Sequence, residues 1–70
     1  MNIFVLKAPS RALVPETLGF SKLEVWVATF DKVIDSETRE KYWHRYGDFV
    51  SHMKRRGYRI VRVELVEVVP

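Results

Sequence analysis

Asp35-Ser36-Glu37-Thr38-Arg39-Glu40-Lys41-Tyr42-Trp43-His44-Arg45-Tyr46-Gly47-Asp48-Phe49-Val50-Ser51-His52-Met53-Lys54-Arg55-Arg56-Gly57 is the stretch on which the fold is read. Both of its ends carry helix-terminus chemistry. Asp35 or Ser36 offers a side-chain oxygen to the orphan amides of a first turn. Glu37 and Glu40 suit the positive end of the helix dipole, and Lys54, Arg55 and Arg56 the negative end. Gly57 supplies a left-handed stop. Between these ends, Tyr42, Trp43, Tyr46, Phe49, Val50 and Met53 recur at helical spacing and form one apolar stripe. The pattern predicts one long amphipathic helix over 35–57, rising roughly 30 Å at 1.5 Å per residue. Gly47 within it costs about 1 kcal/mol relative to alanine, and either admits a close neighbour or is simply tolerated.

Outward from this helix the chain reads as strands. Leu23 to Phe30 alternates, with Leu23, Val25, Val27 and Thr29 on one side and Glu24, Trp26, Ala28 and Phe30 on the other. Asn2 to Lys7 is an apolar run expected as a buried strand, and Pro9 ends it. Residues 8–22 read as a long connection punctuated by Pro9, Ser10, Pro15, Gly19 and Ser21. Its Leu13, Val14, Leu18 and Phe20 predict that it packs on the domain, and Pro15 to Gly19 suits one helical turn. Tyr58 to Val69 is expected as a third strand. Its alternation breaks at Leu65-Val66 and Val68-Val69, which a bulge or burial of both faces explains. The fold class that follows is α+β: a small three-stranded sheet with one long helix packed on one face, in the order β-β-α-β. Strands two and three can run parallel through a right-handed crossover, with strand one antiparallel to either.

Seventy residues make a single α+β domain over 1–70. A chain this short buries only about 60% of the surface its unfolded form exposes, so its core needs help from good packing or from a partner chain. Cysteine is absent, which excludes disulfides and thiolate metal sites. The chain has one asparagine, Asn2, and no glutamine, beside 30% charged residues; that bias is characteristic of proteins from hot environments, and a thermophile source is expected. No apolar run approaches the roughly 20 residues of a membrane span. The first residues lack the basic start of a signal peptide, so a cytoplasmic, intracellular location is expected.

Catalytic signatures are missing: no cysteine nucleophile, glycine-rich phosphate loop or nucleophile elbow. His44, Asp48 and His52 follow one another at steps of four, but successive fourth residues drift by about 40° around a helix. A solvated polar face is the plainer reading, and neither a metal nor any other cofactor is expected. The placement of charge is more informative than the net +3. From Phe49 to Val63 the chain carries Lys54, Arg55, Arg56, Arg59 and Arg62 and no acidic residue, with His52 and Arg45 flanking. Because Gly57 turns the chain back, these cations are expected to gather into a patch that attracts phosphates. Neutralising the helix dipole accounts for only the first three.

A three-stranded sheet with one helix leaves a face uncovered. Phe4, Trp26, Phe30 and Tyr58 are then expected on an outward apolar surface, available for a homodimer, another protein or base stacking; the opposite assignment puts Trp26 and Phe30 inward and the valines out. Two functional expectations result. The first is a small non-enzymatic basic module that binds DNA or RNA, or serves as a regulator of a nucleic-acid-processing assembly. The alternative is a protein-interaction module acting through an apolar sheet face or strand edge, of the inhibitor or adaptor kind that viruses encode. A small-molecule substrate is not expected of either.

Overall fold

The computed structural model describes residues 2–64. Within them lie a three-stranded sheet and three helices: β1 (Ile3–Lys7), β2 (Leu13–Gly19), α1 (Lys22–Lys32), α2 (Ser36–Lys41), α3 (Tyr46–Arg55) and β3 (Arg59–Val63). The α+β class and the three-stranded sheet agree with the sequence reading. The sheet order is β2-β1-β3, and β1 is antiparallel to both neighbours. Strands β2 and β3 therefore run in the same direction without touching, joined by the helical segment. The final part of the expected third strand, 65–69, lies outside the described residues.

The second strand is not where alternation put it. Residues 23–30 belong to α1, and β2 occupies the stretch read as a connection. Leu23, Val25, Trp26, Val27 and Phe30 make that segment apolar on two sides, so periods of 2 and 3.6 both fit it. The arbiter is local. Ser21 caps the helix by accepting the Glu24 N–H at 3.2 Å, and the Glu24 carboxylate accepts the Phe20 N–H in return. This resembles a capping box, written in the sequence as Ser21-Lys22-Leu23-Glu24, except that Glu24 reaches the amide of Phe20, one residue before the cap, in place of that of Ser21. Gly19 lets that cap approach, because a Cβ there would meet the Glu24 Cβ at 2.7 Å. The helical turn expected over Pro15 to Gly19 is instead the second half of β2, and a connection as long as 8–22 would be uncommon in a compact domain.

In β2, Pro15 is tolerated because the strand is at the sheet edge. Its register jumps: Phe4 opposes Gly19, but Leu6 opposes Val14. The extra residues loop out, and Thr17 repairs the ladder. Its Oγ1 accepts the Leu6 N–H at 2.9 Å and donates to the Val14 carbonyl at 2.7 Å. Thr17 and Leu6 are both fully buried, so the Leu6 N–H has no water as an alternative partner.

The single long helix also resolves differently, into α2 and α3 separated by a turn over 42–45. Arg45 N–H bonds the Tyr42 carbonyl at 2.9 Å, and His44 takes a left-handed φ of 64°. The reason is length. Strands of about five residues span roughly 17 Å, and an unbroken 30 Å helix would overhang them. Breaking it folds Tyr42 back onto the aromatic core and leaves Trp43 beside Phe30 but more than half exposed. Both ends remain as expected. Asp35 caps α2 by accepting the Thr38 N–H at 2.7 Å. Gly57, at φ 93°, ends α3 in a Schellman motif, with Tyr58 N–H bonded to the Met53 carbonyl and Gly57 N–H to that of Lys54. Gly47 stands in open space, with nothing within 4 Å of a Cβ placed there, so it admits no neighbour.

The core is Leu6 from β1, Val25 and Trp26 from α1, and Phe49 and Met53 from α3, with Phe4, Phe30, Tyr42, Tyr58 and Ile60 among those packed around it. Ile3 and Val5, on the alternate side of β1, are buried as well. Arg39 ties α2 to the end of α1. Its Nε donates to the Phe30 carbonyl at 3.0 Å and its Nη2 to that of Asp31 at 2.8 Å, satisfying acceptors that a helix C-terminus leaves orphaned.

The Thr17 contact makes a stability prediction. Thr17→Val keeps the shape but strips Leu6 N–H of its acceptor, so unfolding free energy should fall by about 1–3 kcal/mol, while Thr17→Ser should retain most of it. Urea denaturation of the three proteins measures this.

Candidate functional site

Two surfaces stand out, and neither is the uncovered sheet face expected from the sequence. Trp26 and Phe30 are on α1, where Trp26 is only 5% exposed. Phe4, Phe30 and Tyr58 are half-buried against the core cluster. An outward platform of Phe4, Trp26, Phe30 and Tyr58 is therefore ruled out: the strand that would have turned Trp26 outward is a helix that turns it in.

The first surface is basic. Lys22 at the start of α1, Lys54 near the end of α3 and Arg59 at the start of β3 line one open trough of about 450 Å³, with Trp26, Tyr58 and Ile60 as its remaining lining. The Gly57 turn brings Lys54 and Arg59 together, as the sequence implied. Lys22 joins from a distant part of the chain; only the assignment of 22–32 to a helix packed beside α3 would have found it. No carboxylate lines this trough.

The other predicted cations scatter around it. Arg56 lines a separate recess with Asp35, Thr38 and His52. There its charge helps lower the Asp35 pKa, after the larger effects of hydrogen bonds from the Thr38 hydroxyl and N–H. Arg55 points back along α3, its Nε donating to the Ser51 carbonyl at 3.3 Å. Arg62 is exposed near the far end of β3, 3.5 Å from the Asn2 side-chain oxygen. Arg45 is not part of the patch. It stands at the opposite end of α3, about 14 Å along the axis from Lys54, in an ion pair with Asp48 at 2.8 Å.

That ion pair, together with the turn at His44, also dissolves the His44–Asp48–His52 series, because His44 leaves the helix that carries the other two. Among the described residues no group of three His, Cys, Asp or Glu side chains is placed to hold a metal. No described helix is long and apolar enough to cross a membrane.

His52 is disfavoured as a cation. Its ring lies 5.0 Å from that of Tyr42. Desolvation first, and then the charges of Arg56, Lys41 and Arg55, push its pKa below 6.5.

The second surface is apolar. Leu23 and Val27, one turn apart on α1, are both about half exposed, as are Trp43 and Tyr46 from the turn and the start of α3. Val27, Trp43 and Tyr46 border a groove of about 210 Å³ whose floor is Trp26, Phe30, Tyr42 and Phe49. The sequence reading placed Trp43 and Tyr46 in the buried stripe of one long helix; the break at 42–45 turns them to the surface. No protein-family model, curated protein or solved structure matches the chain.

The depressed His52 pKa has a signed consequence. The neutral ring is favoured in the folded state, so its contribution is fully present above pH 6.5 and is lost as the pH falls below that value, where the unfolded chain takes up the proton first. His52→Gln removes this linkage. The drop in melting temperature between pH 7 and pH 5 should be smaller in the variant than in the parent protein, and calorimetry at the two pH values measures the difference.

Proposed function

We propose that the protein is a non-catalytic module that binds nucleic acid through the trough of Lys22, Lys54 and Arg59. The observation that carries this reading is the convergence of three cations from three different elements on one concavity that no carboxylate lines. An arrangement of this kind raises the local concentration of a polyanion and gains affinity by releasing its counterions. Arg55, Arg56 and Arg62 lie outside the trough but add to the positive charge of the molecule, and a sequence pI near 9.5 has the same sign.

Dipole complementarity explains Lys54, Arg55 and Arg56 at the end of α3. It does not explain Lys22, which sits at the positive end of its own helix, or Arg59, which is on a strand. Those two residues favour the phosphate reading. The trough offers few groups able to read base edges, so binding should be governed by backbone charge and depend little on sequence. That suits an accessory or regulatory factor of a nucleic-acid-processing assembly.

Filter binding to single- and double-stranded DNA and RNA across a salt series tests this. Affinity should fall linearly on a log–log plot, and the Lys22→Ala, Lys54→Ala, Arg59→Ala triple variant should lose roughly 2–3 from the slope, at about 0.7–0.9 per phosphate contact. Arg45→Ala should match the parent protein. Absence of binding to all four polymers at low salt, or an unchanged slope in the triple variant, would refute the proposal.

A further inference from the structure

We propose that the second apolar face of α1, with the groove beside it, is the contact surface for a second copy of this chain. The argument starts from the helix. One face of α1 buries Val25, Trp26 and Thr29. Leu23, Val27 and Phe30, at i, i+4 and i+7, form a second apolar stripe on another face, with Leu23 and Val27 exposed. A helix apolar on both sides is the pattern of one covered on both sides, and among the described residues nothing covers the second.

The shape and charge of the surface select the occupant. Leu23 and Val27 make a ridge along α1. The groove floored by Trp26, Phe30, Tyr42 and Phe49 runs directly beside it. Each copy thus carries both a ridge and a groove, and a two-fold axis seats the ridge of each in the groove of the other, an isologous contact. Leu23, Val27, Trp43 and Tyr46 together expose roughly 400 Å² of side chain, about half the ~800 Å² that each partner contributes to a standard stable interface; interfaces of that class are a little over half apolar.

Charge does not oppose the pairing. Arg45, which borders the groove, is paired with Asp48 at 2.8 Å, which lowers the like-charge repulsion between two copies there. The same ion pair argues against a polyanion in this groove, in contrast to the trough of Lys22, Lys54 and Arg59. Dimerisation through α1 also supplies the additional apolar burial that a 70-residue chain without cysteine needs.

Sedimentation equilibrium of the full chain from micromolar to near-millimolar concentration is the test, with Val27→Glu and Leu23→Glu as variants at exposed positions and circular dichroism as the check on folding. The expected result is a concentration-dependent dimer for the parent protein and monomers for both variants. A parent protein that stays monomeric throughout overturns the proposal and leaves the surface to a different protein. A dimer that persists in both folded variants overturns it too, because the contact then lies elsewhere. Should the variants not fold, the parent protein still decides: the indole N–H resonance of Trp43, at the rim of the groove, should shift with concentration, and an unmoved Trp43 signal in a dimer contradicts the assignment.

Discussion

Phe49 holds the helices to one another and to the sheet. It is 1% exposed, and three aromatic rings from two other parts of the chain close on it: Trp26 edge-on at 6.2 Å, Phe30 edge-on at 5.2 Å and Tyr42 tilted at 6.3 Å. Aromatic pairs in such geometries add about 0.5–1.5 kcal/mol each beyond the burial of their area. In a chain without cysteine, contacts of this kind replace the covalent staple. They also explain why α2 and α3 are two helices. Tyr42 reaches Phe49 and His52, and Trp43 reaches Phe30, because the chain turns at His44 and brings both rings back over α1.

The parts of the fold legible in the sequence were those set by local chemistry. The cap at Asp35, the stop at Gly57 and the core positions Phe49 and Met53 follow from residue type and spacing alone. The strand β1 followed from its continuous apolar run. What failed were two readings of pattern without context. Alternation over 23–30 was outweighed by the Ser21–Glu24 cap and by a helix surface that is apolar on two sides. A continuous stripe over 42–53 concealed a turn that neither proline nor glycine marks at His44, because the cause is tertiary: short strands and a waiting aromatic cluster. Thr17 shows the same limit from the other direction, since a threonine after proline and glutamate gives no hint that its hydroxyl will serve as a rung of the sheet ladder.

The candidate sites divide in the same way. Lys54 and Arg59 were foreseeable because Gly57 lies between them. Lys22 was not, since its place in the trough depends on α1 being a helix. The misassigned segment is also the source of the second surface, as Leu23 and Val27 form an exposed ridge only on a helix. Trp26 sits beneath both concavities, contributing to the lining of the basic trough and to the floor of the apolar groove. One helix thus supplies core on one side, a cation to the trough at its start and an unpartnered ridge along its flank. In the proposed arrangement the apolar flank would pair two copies and the basic troughs would contact a nucleic-acid backbone.

Helix α1 and both surfaces depend on Trp26 facing inward against Phe49 while Trp43 faces out. Acrylamide quenching of fluorescence in two single-tryptophan variants at low protein concentration measures that directly. Trp43→Phe, which leaves Trp26 as the emitter, should emit at short wavelength and resist quenching. Trp26→Phe, which leaves Trp43, should emit at longer wavelength and be quenched readily. Ready quenching of Trp26 in the folded Trp43→Phe protein would place that ring on an outward surface, and would contradict both the helix α1 and the two surfaces built on it.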